Sequence, residues 1–321
     1  MGNMKQNQSF TIGVIQDRFG DGLKENQQRA VERVAEAKTA GAQVVCLPEL
    51  FSSTYFCAEE KIDLFNLAEP IDGPTVTLFR RVAKDNGIVL IVPFFEKRAA
   101  GVYHNSVVVV ETDGAILGVY RKMHIPHDPL FFEKYYFTPG EASGPGSGFK
   151  VFNTTYGKVG VLICWDQWYP EAARITSLLG AEVLFYPTAI GWHPKEKADF
   201  GPHQVSAWQT MQRSHAIANG VYVGAANRFG FEPTPGTDGI EFFGSSFISD
   251  PFGIMLQSAP ADRSAVLTAE VKRQHSEETR RNWPFLRDRR IDAYGPITSR
   301  FIDQLPAGDK AAEKSCEKAK P

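Results

Sequence analysis

The sequence has few cysteines, no long apolar run and no strong excess of charge of either sign. Its four cysteines are too few and too widely separated for a disulfide framework. No stretch approaches the about 18 apolar residues of a membrane span, and the N-terminal MGNMKQNQSF lacks the apolar centre of a signal peptide. A net charge of −2 without a long basic run argues against nucleic acid and membranes as partners. These absences predict a reduced, cytoplasmic protein.

Length and composition set the domain organisation. The 321 residues are 43% hydrophobic and 22% charged, which is typical of a globular protein with a sizeable core. We expect one domain over residues 8–304. Residues 305–321 are rich in lysine and poor in apolar residues, which predicts a mobile tail in which Cys316 is an exposed thiol without function.

Strands and helices alternate in the first third of the chain. Apolar runs predict strands over residues 10–16, 43–47 and 88–95. Helical periodicity predicts helices over 24–39 and 76–85. This alternation indicates an α/β layered fold.

Two later segments resemble each other and extend this prediction. One begins VLIVPFF and the other VYVGAANRF, and each continues as strand, polar excursion, strand, glycine-containing turn and strand. A chain that builds this unit twice is expected to form two similar sheets. Because the strands are mostly apolar at consecutive positions, we expect the sheets to pack together with helices outside.

Three polar residues follow predicted strands: Glu49 after AQVVCLP, Lys122 after AILGVYR and Cys164 after VGVLI. Strand ends are the preferred location of catalytic groups in layered α/β folds. Each residue also has a structural interpretation. Glu49 would cap the helix beginning near Leu50, Lys122 would be solvated, and Cys164 would be a core residue.

The three residue types complement one another chemically. A cysteine nucleophile requires an anionic thiolate, whose pKa must be lowered by cationic neighbours or a helix N-terminus. It also requires a proton acceptor, which a carboxylate supplies, and a donor for the developing oxyanion, which a lysine and a backbone N–H supply. The pattern suggests a cysteine-dependent enzyme and leaves the structural interpretation open.

The motifs around these residues resemble the signatures of a known family. PELF at Glu49, YRKMHIP at Lys122 and GVLICWDQWYPEAAR at Cys164 resemble, in order, the three signatures of the nitrilase superfamily, the carbon–nitrogen hydrolases. The resemblance spans residues 10–300. It implies a four-layer αββα sandwich of two mixed sheets packed face to face. It also implies a Glu–Lys–Cys triad, a second glutamate at Glu133 in PLFFEKYYF, and no cofactor or metal.

The segments CWDQWYPEAAR, LGAEVLFYPTAIGW and QRSHAIANGVYVGAANRFG resemble the N-carbamoylputrescine amidase branch. This implies hydrolysis of a carbamoyl amine to putrescine, CO2 and ammonia, with a small-molecule carbamoyl amine as partner. Members of this branch often carry Asp where this chain has His127, which leaves the selectivity for an amine open. Asp128 lies beside it, and the alternative is that Asp128 caps the turn at Pro129.

A carbamoylputrescine site needs an acid at the far rim of the pocket and an apolar passage behind it. We predict that Asp128 supplies the charge and that Tyr55 and Trp165 form walls, with Glu196 and Asp199 as second choices for the acid. The Trp165 backbone N–H is also the candidate oxyanion donor beside the nucleophile.

Two alternatives remain for the function. One is an amidase acting on another N-carbamoyl amino acid or an ω-amide. The other is a catalytically silent scaffold with the same fold, although an intact Glu–Lys–Cys set argues against it.

The family usually forms dimers through outer helices and often assembles further. The predicted helix over residues 170–179 carries Ala172, Ala173 and Ile175, small and apolar residues that allow close approach of a second helix. We therefore expect a homodimer or higher homo-oligomer with this helix near the interface.

Overall fold

The structure, a computed structural model, describes residues 8–144 and 148–302. The chain forms two compact units, one ending at Trp283 and one beginning at Pro284. In the second unit, Arg287 pairs with Asp288, and the turn Gly295–Thr298 is a short 3-10 helix. The predicted tail over 305–321 and its Cys316 lie outside the described residues. The domain limits 8 and 304 stay a prediction.

The described residues contain fifteen strands and six α-helices, with short 3-10 helices between them. The strands are β1 (Ser9–Gln16), β2 (Val44–Cys46), β3 (Val89–Ala99), β4 (Val102–Val110), β5 (Ile116–Arg121), β6 (Val151–Asn153), β7 (Lys158–Val161), β8 (Val183–Pro187), β9 (Gly191–Trp192), β10 (Tyr222–Ala226), β11 (Phe229–Glu232), β12 (Ile240–Phe243), β13 (Phe247–Ser249), β14 (Met255–Ser258) and β15 (Ala265–Lys272). The helices are α1 (Leu23–Thr39), α2 (Pro74–Asn86), α3 (Glu133–Tyr136), α4 (Pro170–Leu178), α5 (Lys197–Asn219) and α6 (Arg273–Asn282).

Two six-stranded mixed sheets form the centre of the first unit. Their strand orders are β15-β1-β2-β3-β4-β5 and β6-β7-β8-β10-β13-β14. In the first sheet β1, β2 and β3 are mutually parallel and the other pairings are antiparallel. The second sheet repeats this pattern, with β7, β8 and β10 parallel. The prediction of two similar sheets is therefore confirmed.

The two sheets pack face to face. Val14 of β1 and Phe185 of β8 are fully buried on either side of Gly224 in β10. A Cβ atom at Gly224 would lie 3.0 Å from Cγ2 of Val14 and 3.1 Å from the Phe185 ring. The missing side chain therefore permits the close approach of β1 and β10.

Helices cover the outer faces of both sheets. On the first sheet, Val34 of α1 and Phe79 of α2 pack with Leu90 in one buried apolar cluster. On the second sheet, the Tyr186 hydroxyl is hydrogen-bonded to Nδ1 of His215 in α5, 2.8 Å away. Tyr186 alternates with the inward-facing Phe185, so this contact lies on the outer face. The layers are αββα, as predicted.

Helix α4 differs from its expected role in one respect. Pro170 lies in its first turn, where the missing N–H of proline removes no hydrogen bond within the helix. Ala172 and Ala173 are fully buried within the single chain, so they are not available for close contact with a second copy. Ile175 and Leu178 are the exposed apolar residues of this helix. In the described part of the chain, no helix is long and apolar enough to cross a membrane.

Candidate active site

The three strand-end residues meet in the buried interior of the first unit. Glu49 follows β2, Lys122 follows β5, and Cys164 follows β7 by three residues. All three are at least 96% buried. The ladder between β4 and β5 continues past Arg121, because the Lys122 backbone N–H donates to the Asn105 carbonyl at 2.9 Å. The first sheet therefore contributes Glu49 and Lys122, and the second contributes Cys164.

Lys122 bridges two carboxylates. Its Nζ lies 2.8 Å from Oε1 of Glu49 and 2.6 Å from Oε2 of Glu133, and all three side chains are buried. Burial alone would lower the pKa of Lys122, but the charges of Glu133 and Glu49 outweigh it and raise that pKa well above its usual value. Lys122 is therefore a fixed cation at neutral pH.

Glu133 begins the short helix α3 and is fully enclosed. Burial raises its pKa to about 7, opposed by Lys122 and supported by the negative charge of Glu49. The Tyr55 hydroxyl donates to Oε1 of Glu133 at 2.8 Å, which favours the ionised form. Glu133 and Glu49 thus both pair with Lys122. The predicted second glutamate therefore belongs to the same buried cluster.

Glu49 has one engaged and one free oxygen. Its Oε1 accepts hydrogen bonds from Nζ of Lys122 at 2.8 Å and from Nδ2 of Asn105 at 2.7 Å. Its Oε2 is buried and has no hydrogen-bond partner among the described residues. A buried carboxylate oxygen without a partner is costly and is found chiefly where it has a function. Glu49 therefore has an acceptor position ready for a proton.

Cys164 occupies an unusual backbone conformation. Its φ is +43°, which for a residue other than glycine costs about 1–3 kcal/mol. It begins the 3-10 helix Cys164–Trp168, so its own N–H and that of Trp165 are among the first-turn amides that have no carbonyl partner inside the helix. Such amides are suitable donors to an oxyanion.

The protonation state of Cys164 differs from expectation. Burial raises the pKa of the thiol well above its usual value, and the charge of Glu49 adds to this while Lys122 opposes it. The Cys164 thiol faces the Ala189 carbonyl at 3.9 Å. The expectation of a thiol pKa lowered by cationic neighbours is wrong, because burial disfavours the thiolate and two carboxylates accompany the single lysine. The raised pKa favours the neutral thiol form of Cys164.

A cavity of about 370 Å³ opens onto this cluster. Five of the predicted catalytic and substrate-binding residues line it, and its walls are partly aromatic. The residues that line it include Cys164, Glu133, Asp128, Trp165, Glu196, Phe131, Trp168, Ile190 and Phe243. Tyr55 lies behind this wall, bonded to Glu133 and packed against Phe131 with ring centroids 5.6 Å apart.

The charged groups of the cavity wall are all acidic. Asp128 and Glu196 are exposed, whereas Glu133 is buried. Among the described residues that line the cavity there is no lysine or arginine. Asp199 is exposed and does not line it. The Asp128 backbone exchanges hydrogen bonds with Phe131, so this residue also closes a turn.

Four further residues lie at or near the site and were not among the predicted site residues. Asn105 holds Glu49, and its presence in the polar HNS triplet of an otherwise apolar strand is a usable signal. His193 and Gln204 line the cavity, each with a buried side-chain atom that has no partner in the described chain. Asp166, two residues after Cys164, accepts hydrogen bonds from both flanks of the cluster.

In residues 8–144 and 148–302, no group of three His, Cys, Asp or Glu side chains could hold a metal ion.

Comparison with known proteins agrees with this architecture. An N-carbamoylputrescine amidase of Solanum lycopersicum is 42% identical over 294 residues, covering 90% of this chain and 95% of that protein. A citrullinase of Francisella tularensis subsp. tularensis is 40% identical over 295 residues, covering 91% and 99%. The crystal structure of a carbon–nitrogen hydrolase from Helicobacter pylori G27 superposes with a TM-score of 0.87 at 45% identity, covering 92% and 100%. Residues 19–281 match the carbon–nitrogen hydrolase family model, and the chain is a member of that family of hydrolases, the nitrilase superfamily.

Proposed function

We propose that the protein hydrolyses the carbamoyl C–N bond of N-carbamoylputrescine, giving putrescine, CO2 and ammonia. The observation that carries this proposal is the charge distribution of the cavity. Cys164 and Glu133 lie on its wall, Asp128 and Glu196 are its exposed acids, and no lysine or arginine is among the described lining residues. A neutral carbamoyl group with a distant ammonium complements such a cavity. No cofactor or metal takes part in the proposed steps.

The first half-reaction uses the free oxygen of Glu49. As the Cys164 sulfur attacks the carbamoyl carbon, its proton passes to Glu49, which avoids a free thiolate in a site that disfavours one. Lys122 and the Trp165 N–H stabilise the resulting oxyanion. Glu49 then returns the proton to the departing amide nitrogen, and ammonia leaves. The product is a thiocarbamate ester between Cys164 and the remaining alkylcarbamoyl group.

The second half-reaction uses water. Glu49 takes a proton from water as the hydroxide attacks the same carbon, and the Cys164–carbon bond then breaks. The proton on Glu49 returns to the sulfur. The released carbamic acid loses CO2 to give the amine. Glu133, held by Tyr55, keeps Lys122 oriented throughout and supplies a negative charge near the leaving group.

Substrate selection is proposed to rest on Asp128. A hydrogen bond between charged groups contributes about 1.5–3 kcal/mol where the bound substrate shields it from water, so Asp128→Asn should raise KM for N-carbamoylputrescine about 10–150-fold. Trp165 supplies the adjoining apolar wall, and Glu196 is the second candidate for the charge. Asp199→Asn is the matched control, because Asp199 is an exposed acid outside the cavity lining.

Citrulline is the second candidate substrate. One relative is named a citrullinase, and the unpartnered Nδ1 of His193 in the cavity wall is a possible donor to a carboxylate. Citrulline carries both an ammonium and a carboxylate beyond its carbamoyl group, whereas N-carbamoyl-β-alanine carries only a carboxylate.

Ammonia release from all three compounds tests the assignment. We expect N-carbamoylputrescine to have the highest kcat/KM and Asp128→Asn to weaken that preference. A preference for N-carbamoyl-β-alanine would refute an amine-binding site. A preference for citrulline would support His193 as the donor to the substrate carboxylate. Absence of hydrolysis with every compound, ω-amides included, would support a silent scaffold. An unchanged KM in Asp128→Asn would move the charge to Glu196.

A homodimer or higher homo-oligomer is proposed from the outer face of α4. Ile175 and Leu178 are 42% and 49% exposed, and neighbouring Leu179 is 53% exposed. Exposed apolar side chains grouped on one face are typical of interfaces. Sedimentation should show a dimer or larger species at micromolar concentration, and Leu178→Glu should weaken it. A monomeric wild type would contradict this proposal.

A cytoplasmic location is proposed from the cysteines. Cys46, Cys57 and Cys164 are free thiols in the structure, as expected in a reducing compartment. Cell fractionation with an antibody to the protein tests it, and recovery in an oxidising compartment would contradict it.

A further inference from the structure

The Asp166 carboxylate is saturated with hydrogen bonds. Its Oδ2 accepts from the Ile163 backbone N–H at 2.9 Å and from the Tyr120 hydroxyl at 2.7 Å. Its Oδ1 accepts from the backbone N–H of His124 at 3.0 Å and from Nδ1 of the same residue at 2.7 Å. Asp166 is fully buried and does not line the substrate cavity. Because each oxygen has two donors, no acceptor capacity is left for substrate.

These donors come from the two segments that carry the reacting groups. Ile163 precedes Cys164, and the Asp166 N–H in turn donates to the Ile163 carbonyl at 3.0 Å, so the pair closes a tight turn around the nucleophile. Tyr120 and His124 lie two residues before and two residues after Lys122. One carboxylate therefore joins the turn of the nucleophile to both flanks of the lysine.

The His124 ring is fixed from a second direction. It stacks on the Tyr169 ring with centroids 3.7 Å apart and planes 6° apart. An ionised carboxylate only accepts hydrogen bonds, so Nδ1 of His124 carries the proton that is donated to Asp166. The stack and the hydrogen bond together set the position of the segment that follows Lys122.

We propose that Asp166 is a positioning residue which, through Tyr120 and His124, holds Cys164 and Lys122 in their reactive arrangement; this inference rests on the function proposed above. The positive φ of Cys164 persists only where neighbouring contacts determine it. Asp166 supplies those contacts from both sides of the turn. Its effect on the reaction is indirect, since it contacts neither substrate nor the reacting sulfur.

The first test is Asp166→Asn, in which an NH2 group replaces an acceptor that has two donors. We expect kcat to fall about 10–100-fold, as small displacements of reacting groups do, with KM within about twofold because the cavity wall is intact. The matched control is Asp250→Asn. Asp250 accepts from two backbone N–H groups and from Nε2 of His275, away from the cavity, so its loss should lower the Tm and leave kcat unchanged.

The second test is rescue at His124. His124→Ala removes the ring donor and should lower kcat about tenfold, whereas His124→Asn retains an N–H near the Nδ1 position and should recover most of that loss. Equal kcat values for the two variants would overturn the role of this hydrogen bond. Thermal unfolding of both variants, measured in parallel, separates the effect on kcat from incomplete folding.

Two further measurements distinguish failure of the inference from failure of the proposed function. Activity retained by Cys164→Ala would reject the function. An inactive Cys164→Ala together with wild-type kcat in a folded Asp166→Asn would reject the positioning role alone. A crystal structure of Asp166→Asn answers the question without any substrate. We expect a changed φ at Cys164 or a displaced Lys122, and unchanged geometry at both would overturn the inference.

Discussion

The two six-stranded sheets repeat one order of strand directions, yet equivalent strand ends have different roles. In the first sheet β1 leads to Asp17, and in the second sheet the equivalent β7 leads to Cys164. Asp17 is fully buried and paired, with Oδ2 accepting from Arg33 at 2.7 Å and Oδ1 accepting from Ser264 at 2.8 Å. Cys164 has a strained backbone, and burial raises the pKa of its thiol well above the usual value.

The difference lies in hydrogen-bond completeness more than in burial. Asp17 and Glu49 are both carboxylates with no exposed surface. Both oxygens of Asp17 have partners, whereas Oε2 of Glu49 has none among the described residues. A paired buried carboxylate stabilises a fold, and an incompletely paired one remains able to take a proton. Two neighbouring strand ends of the first sheet therefore carry a fully paired carboxylate, Asp17, and a carboxylate with an unpaired oxygen, Glu49.

The largest expected effect separates the three buried cysteines. Cys164→Ala should abolish turnover, because no other described thiol follows a strand into the cavity. Cys46→Ala and Cys57→Ala should stay within a few fold of wild type, since Cys46 lies inside β2 and Cys57 packs in an aromatic cluster. Steady-state ammonia release measures all three. Full activity in Cys164→Ala would contradict a catalytic role for the strand end that carries Cys164.

The two carboxylates should separate rate from stability. Glu49→Gln should lower the rate about 10²–10⁴-fold, the usual loss for a positioned base. Asp17→Asn should leave kcat within a few fold and lower the free energy of unfolding, because Arg33 and Ser264 lose an ionised partner. Kinetics and urea unfolding of both variants make the test. A large rate loss in Asp17→Asn would mean that the two strand ends do not divide these roles.

The smallest effect concerns the pKa of Glu133. The Tyr55 hydroxyl stabilises the ionised form of Glu133, whose pKa is about 7, so Tyr55→Phe should raise that pKa further. If ionised Glu133 is the active form, less of it is present at pH 7 and the acid limb of the kcat profile moves to higher pH. We expect a loss of several fold at pH 7 that largely disappears above pH 8. A shift of the acid limb to lower pH would contradict this.

The three strand-end residues of the site could be predicted from the sequence, because the topology of the fold brings these strand ends together. Glu49, Lys122 and Cys164 each follow an apolar run, and that pattern is local. Three of the four hydrogen bonds to Asp166, from Tyr120 and His124, join segments 42 or 46 residues apart, and no local pattern encodes them. The raised pKa of the Cys164 thiol also depends on tertiary structure, which buries the thiol and brings the charges of Glu49 and Glu133 near it.

Helix α4 shows the same limit for packing. Its small residues predicted an intermolecular contact, but small residues equally allow a helix to approach its own sheet. Ala173 is fully buried within the single chain. A Cβ atom added at Gly160 of β7 would lie 2.3 Å from the Thr176 side chain of α4, so the helix packs closely on its own sheet. The surface against which a helix packs is decided by the tertiary structure. The sequence therefore indicated an amphipathic helix but not the surface that its apolar face contacts.

The most direct test of the central claim is to trap the covalent intermediate on Cys164. Wild-type protein is quenched in acid during turnover of N-carbamoylputrescine, digested and analysed by mass spectrometry. We expect an adduct on the peptide that contains Cys164, with the mass of the substrate less ammonia, and none in Cys164→Ala. The adduct should accumulate in Glu49→Gln if water activation is slowed more than acylation. An adduct on Cys46 or Cys57, or turnover by Cys164→Ala, would contradict the assignment of Cys164 as the nucleophile.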